Sequence, residues 1–205
     1  MTSARLPGPS WRQPPATPQE HSVSRLVTAH LFNSVNGVAE SPDQWQFGAF
    51  GPEEGELMGR VIGPVTDMVL GRKLFQEWSE FWPSAPADDP FAQFINPLRK
   101  HVVTSTLDGD LGWNSTRIEG DPVEYVRGLR EQGEGDISVG GGVETVRSLF
   151  LAGVVDRLIL TTHPVVGAGR RLFDDSVPVT RLELLDAVKT SAGNVILTYA
   201  LRGEG

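Results

Sequence analysis

Eight short runs rich in aliphatic and β-branched residues alternate with only four stretches of helical periodicity, and the last two runs follow one another directly, joined by Ser191-Ala192-Gly193. This imbalance constrains the fold more than any other feature. A parallel strand pair needs a crossover of a dozen or more residues, usually a helix, whereas an antiparallel pair needs only a tight turn. The expected strands are 25–32, 67–70, 101–104, 115–118, 136–139, 156–162, 181–189 and 194–201; the expected helices are 52–62, 73–81, 122–132 and 143–152. Four helices spread among the first six strands, then a helix-free pair, predict an α/β domain. Its sheet is of about eight strands, mostly parallel, and closed at one edge by an antiparallel C-terminal strand.

Composition narrows the chemistry. The 205-residue chain has no cysteine, which excludes a disulfide framework, a thiolate nucleophile, an iron–sulfur cluster and cysteine-ligated zinc. Its four histidines are dispersed, so no metal is expected. A net charge of −8 gives no overall attraction to nucleic acid or to an anionic membrane, and neither is expected as a partner. Any anionic ligand must be captured locally. No stretch approaches the roughly 20 apolar residues of a membrane span, and residues 1–24 lack the apolar run of a signal peptide, so a cytoplasmic protein is expected. Those 24 residues hold five of the 15 prolines and almost no aliphatic side chains, the composition of a disordered tail. Residues 25–205 are expected to form one domain.

Three segments suit an anion. In the first, a strand runs into Gly140-Gly141-Gly142 and then into a helix whose Val143, Val146, Leu149 and Phe150 share one face. Glycines at such a junction expose backbone N–H groups at the positive end of a helix dipole and let a diphosphate approach closely. The plainer reading is a tight turn, and neither the GxGxxG pattern nor a Walker lysine is present. In the second, Leu70-Gly71-Arg72-Lys73 puts two cations at a helix start, where they oppose the dipole unless an anion is near; alternatively both simply extend into solvent. In the third, Thr104-Ser105-Thr106 lies at a strand end, where open α/β sheets bind ligands, and by itself it is an ordinary polar loop. A dinucleotide, with phosphates along its length, would use all three. The aromatic residues Phe75, Trp78, Phe81 and Trp82 are spaced as the buried stripe of one helix.

The stretch 135–173, GDISVGGGVETVRSLFLAGVVDRLILTTHPVVGAGRRLF, resembles the dihydrofolate reductase-like superfamily, and most nearly the reductase domain of the bifunctional riboflavin-biosynthesis deaminase-reductase. The segments GRKLFQEWSEFW, HVVTSTL and Asn33-Ser34-Val35-Asn36-Gly37 resemble further parts of the same pattern. The resemblance implies a three-layer fold with helices on both faces of the sheet, NADPH as cofactor and hydride transfer to a small-molecule substrate. Carried over by position, it places Gly140, Gly141, Gly142, Val143, Glu144 and Thr145 at the cofactor diphosphate. Gly71, Arg72, Lys73, Ser105 and Thr106 would lie at the adenosine phosphates, and Ser34, Asn36 and Gly37 beside the nicotinamide and substrate. Two departures stand out: Leu74 replaces a common threonine, and Asn36 replaces an aspartate, removing a group able to donate a proton. The catalytic candidates are Asn36 itself and Glu53, with Asp43, Glu54 or an ordered water as other proton sources. The expected activity is most like reduction of 5-amino-6-(5-phosphoribosylamino)uracil. The alternatives are a dihydrofolate or pteridine reductase and a non-catalytic NADPH sensor. Exposed apolar residues on the pair 182–199 suggest a homodimer.

Overall fold

The computed structural model describes residues 25–203; the expected tail, 1–24, lies outside them. Eight strands form one sheet: β1 (Val27–Ser34), β2 (Val65–Gly71), β3 (Arg99–Val103), β4 (Ser115–Arg117), β5 (Asp136–Gly140), β6 (Arg157–His163), β7 (Leu182–Lys189) and β8 (Val195–Leu201). The helices are α1 (Pro52–Ile62), α2 (Arg72–Phe81), α3 (Pro90–Ile95), α4 (Pro122–Arg130) and α5 (Val143–Leu151). The strand order is β4-β3-β2-β5-β1-β6-β8-β7. All pairings are parallel except the two that β8 makes. The antiparallel C-terminal strand is therefore present, but it is inserted one place in from the edge, and β7 is the edge itself. Helix α3 was not legible as a helix because six residues carry too little periodicity, although Asp89-Pro90 is a readable start: the Asp89 carboxylate accepts from the N–H groups of Phe91 and Ala92.

The chain moves one way across the sheet from β1 to β4 and the other way from β4 to β6, so right-handed crossovers put the helices on both faces. On one face, α4 and α5 bury Val126, Val146, Leu149 and Phe150 against Val27, Ala29, Ile137, Val139, Leu158 and Leu160. On the other face there are two separate apolar clusters. One lies under α2 and α3, with Met68, Leu70, Phe75, Ile95 and Val102; the second lies under α1, with Leu57, Ile159 and Ile196. Of the aromatic stripe on α2, Phe75 is buried and Trp78 and Trp82 pack against the first cluster, but Phe81 is 60% exposed. The stripe turns away from the core over its last turn.

The two central strands contribute nothing to either cluster on that second face. Thr28 and Ser138 are in register there, followed along the strands by His30, Phe32 and Gly140. His30 and Phe32 remain partly exposed although they sit mid-sheet. A sheet covered on both faces ordinarily carries continuous hydrophobic runs in its central strands. The apolar cover of this face is therefore interrupted between α1 and α2, leaving a groove in which His30 and Phe32 are partly exposed.

Candidate functional site

The C-terminal edge of the sheet is where the sequence-predicted residues gather. In register, Leu70 of β2 faces Val102 of β3 on one side and Gly140 of β5 on the other. The strand ends therefore follow in the order Thr104-Ser105-Thr106, Gly71-Arg72-Lys73, Gly140-Gly141-Gly142, and then Ser34 to Gly37 after β1. Three strand spacings of about 4.8 Å make this row about 14 Å long, commensurate with an extended dinucleotide.

The two helices that begin in this row both lack a side-chain cap. Helix α2 starts on Gly71 and α5 on Gly142, neither with a side-chain cap. By contrast Asp89 caps α3 and Asp121 caps α4; α1 also begins on a glycine, Gly51, whose own N–H donates to Glu54. The first N–H groups of a helix have no intrahelical partner, and with glycine as N-cap they stay open to an external acceptor. Gly141 and Gly142 both have φ above +60°, a conformation that favours glycine. Gly141 has a second reason to lack a side chain: a Cβ there would lie 1.8 Å from Leu74 Cδ2. At Gly142 the nearest atom to such a Cβ would be Thr145 Oγ1 at 3.4 Å, so space is open above the start of α5.

The cations are arranged differently from expectation. Arg72 donates to Gln76 Oε1 at 2.9 Å along its own helix. Lys73 Nζ lies 3.9 Å from Glu40 Oε1. Arg170, absent from the residues expected at this edge, donates from Nε to Glu40 Oε1 at 3.1 Å and from Nη1 to Glu144 Oε1 at 2.9 Å, bringing a guanidinium to the first turn of α5. Its hydrogen bonds hold the Glu40 carboxyl below the usual carboxylate range. The signal was present in the loop Gly167-Ala168-Gly169-Arg170, whose glycines allow a close return to the sheet edge. The Thr104 hydroxyl accepts from the N–H groups of Thr106 and Leu107, each at 3.1 Å, which leaves Ser105 and Thr106 exposed.

The proposed catalytic pair is not brought together. Asn36 is a staple: Oδ1 accepts from Ser34 Oγ at 2.8 Å and from Gly167 N at 3.0 Å, while Nδ2 donates to Gly167 O at 2.9 Å. Ser34 is buried, and Gly37 completes the turn with φ +83°. Glu53 lies at the start of α1, where it accepts from Ser191 Oγ at 2.7 Å in the β7–β8 turn. Its neighbour Glu54 is buried; burial raises its pKa, but hydrogen bonds from Thr190, Asn194 and Gly51 outweigh that and keep it ionised. His163, also buried, packs 5.8 Å from the rings of both Phe32 and Trp45.

The floor of the groove holds a titratable group missed at the sequence level. His30 Nε2 lies 2.9 Å from Thr161 Oγ1, and burial lowers its pKa from 6.5 to about 4. The folded state thus resists protonating a group that the unfolded chain protonates readily. Stability from this residue is complete above pH 6.5 and is lost as pH falls toward 4. Between pH 7 and 4.5 wild type is expected to lose about 2 kcal/mol more than a His30→Phe variant, a difference that denaturant melts at the two pH values would measure. A surface concavity also lies at the opposite end of the sheet, beside α4 and Gly153. Its Arg127 and Arg130 are already paired, with Glu124 and Asp156.

The chain is 25% identical over 146 residues to an uncharacterised protein, YyaP, of Bacillus subtilis (strain 168), covering 69% of this chain and 77% of that protein. Its fold is similar to that of a putative riboflavin biosynthesis protein from Shewanella sp. PV-4, at TM-score 0.67 and 17% identity over 87% of this chain and 99% of that one. It is also similar to dihydrofolate reductase from Enterococcus faecalis, solved with NADP(H), at TM-score 0.57 and 18% identity over 87% and 97% of the two chains. The model of the RibD C-terminal domain matches residues 25–196, from the first residue of the described domain into β8. By that match, which spans most of the chain, the chain belongs to the RibD C-terminal domain family.

Proposed function

We propose that the protein is an NADPH-dependent reductase of the riboflavin-pathway kind, acting on a small heterocyclic or sugar-linked substrate such as a phosphoribosylamino-uracil. The observation that carries this reading is the pair of helices α2 and α5, which begin side by side on glycine N-caps at one sheet edge, neither with a side-chain cap, whereas α3 and α4 are capped by Asp89 and Asp121. That cradle fits a dinucleotide phosphate in an acidic protein, because backbone amides and local cations do the capturing. The amides of Gly142, Val143, Glu144 and Thr145 would hold the diphosphate, flanked by Lys73 and Arg170. Arg72, Ser105 and Thr106, at the far end of the row, would meet the 2′-phosphate. The turn from Ser34 to Gly37 would border the nicotinamide where the row meets the groove.

NADPH, when bound, supplies the hydride. The residues of this chain orient the two reactants and exclude water from the groove. Non-catalytic binding is the second reading, favoured by the lack of any carboxylate among the floor residues Thr28, His30, Phe32, Ser138 and Gly140. Absorbance of the reduced nicotinamide, followed with pyrimidine and pteridine substrates in turn, separates them. The reductase reading expects oxidation with an aminopyrimidinedione; NADPH binding without turnover on any substrate favours the sensor.

A homodimer through β7 belongs to the same proposal. This edge strand exposes Leu184 and Leu185 at 55% and 47%, apolar surface next to unpaired backbone groups. Sedimentation of the full chain is expected to give twice the 22.3 kDa chain mass, and a monomer at micromolar concentration contradicts it.

A further inference from the structure

The groove floor contains a polar pair whose proton positions follow from burial. Thr161 is 0% exposed, and the partner of its hydroxyl is His30 Nε2. A hydroxyl can accept at its oxygen, but its own hydrogen still needs an acceptor, and a buried O–H left without one costs about 1–3 kcal/mol. The imidazole is the acceptor within reach. Thr161 therefore donates to Nε2, which assigns the ring proton of neutral His30 to Nδ1. Among the described residues Nδ1 has no partner in the chain, and His30 is partly exposed at the centre of the sheet. The depressed pKa keeps the ring neutral at pH 7. Two positions earlier on the same face, the buried Thr28 Oγ1 likewise has no hydrogen-bond partner among the described residues.

We propose that His30 is a specificity-determining residue of the groove, offering its Nδ1–H to a ring carbonyl oxygen of the substrate heterocycle. The inference rests on the reductase reading and deepens it by naming the substrate edge. A floor that presents an uncharged donor and no carboxylate selects oxo-heterocycles, such as a pyrimidinedione. It disfavours rings that would present only N–H groups, because a buried donor facing a donor leaves both unpaired. Thr161 is the positioning residue, since its hydroxyl fixes the tautomer.

The test is equilibrium binding of 6-aminouracil and its 2-thio and 4-thio analogues to the NADPH-saturated protein, with NADPH affinity measured separately. Sulfur is a weaker acceptor than oxygen, so wild type is expected to bind the oxo ligand about tenfold more tightly than at least one thio analogue. His30→Phe is expected to lose about tenfold in oxo affinity and to lose that discrimination, with unchanged NADPH affinity, the size of one hydrogen bond to a desolvated carbonyl. His30→Asn keeps an N–H near the position of Nδ1 and is expected to recover most of both. Oxo binding by His30→Phe equal to wild type, or a loss in His30→Asn as large as in His30→Phe, overturns the assignment. Wild type that binds NADPH but none of the pyrimidines overturns the pyrimidine-reductase reading itself, and this inference with it.

Discussion

Replacing Asp67 with alanine is expected to destabilise the fold by about 3–5 kcal/mol while leaving the dinucleotide edge intact. Asp67 is fully buried near the start of β2, at the end of the sheet opposite the glycine row. It accepts from Arg25, from Arg99 Nη2 at 2.8 Å, from His101 Nε2 at 2.9 Å and from Thr66 Oγ1 at 2.9 Å. Burial raises its pKa, but the hydrogen bonds from His101, Arg25 and Thr66 outweigh that and hold it below the usual range. Arg25 is itself buried, and it also donates to the carbonyls of Gly135, Leu129 and Gln132. Removing one member of a buried ion pair leaves the other charge uncompensated, which is where the magnitude comes from. Because the folded pKa is depressed, this contribution is complete above the ordinary aspartate pKa and is lost as pH falls through the folded value. Urea denaturation of wild type and Asp67→Ala at pH 7 checks the size, and a change under 1 kcal/mol would count against the network.

That network also shows what the sequence could and could not reveal. The strand count and the helix-free C-terminal pair were enough for the sheet class, because connection length dictates strand direction. The insertion of β8 between β6 and β7 was not legible, since a hairpin of given length can dock by either strand. The glycine junctions at Gly71 and Gly142 were legible because the requirement is local: a strand end, a residue without a side chain, a helix start. Arg170 and Glu40 were not, because their partnership spans 130 residues. The groove was half-legible. VTAHL and DISV both alternate polar and apolar residues, the mark of a strand with one open face, but only the strand order reveals that these are the two central strands. Asn36 was singled out for lacking an acid, and the structure gives its amide a holding role between the β1 turn and Gly167.

Gly142→Asp is the substitution expected to affect binding most. An aspartate at this N-cap adopts a positive φ at a cost of about 1–2 kcal/mol, which the fold tolerates. Nothing in the structure comes closer than 3.4 Å to its Cβ. Its carboxylate would occupy the open amides at the start of α5 and repel a diphosphate. Like charges brought together in an interface cost several kcal/mol, so NADPH affinity should fall at least 100-fold. Gly141→Asp is the less informative neighbour, because its Cβ would first collide with Leu74. A folded Gly142→Asp protein that binds NADPH like wild type would show that the diphosphate lies elsewhere.

On the proposed reading, backbone amides at two glycine-started helices, with a few local cations, let a chain of net charge −8 hold NADPH. Its most direct test is a fluorescence titration of the wild-type protein with NADPH and, in parallel, with NADH. Saturable binding of both is expected, tighter for NADPH because Arg72, Ser105 and Thr106 meet its additional phosphate. Absence of NADPH binding would overturn the proposed cradle.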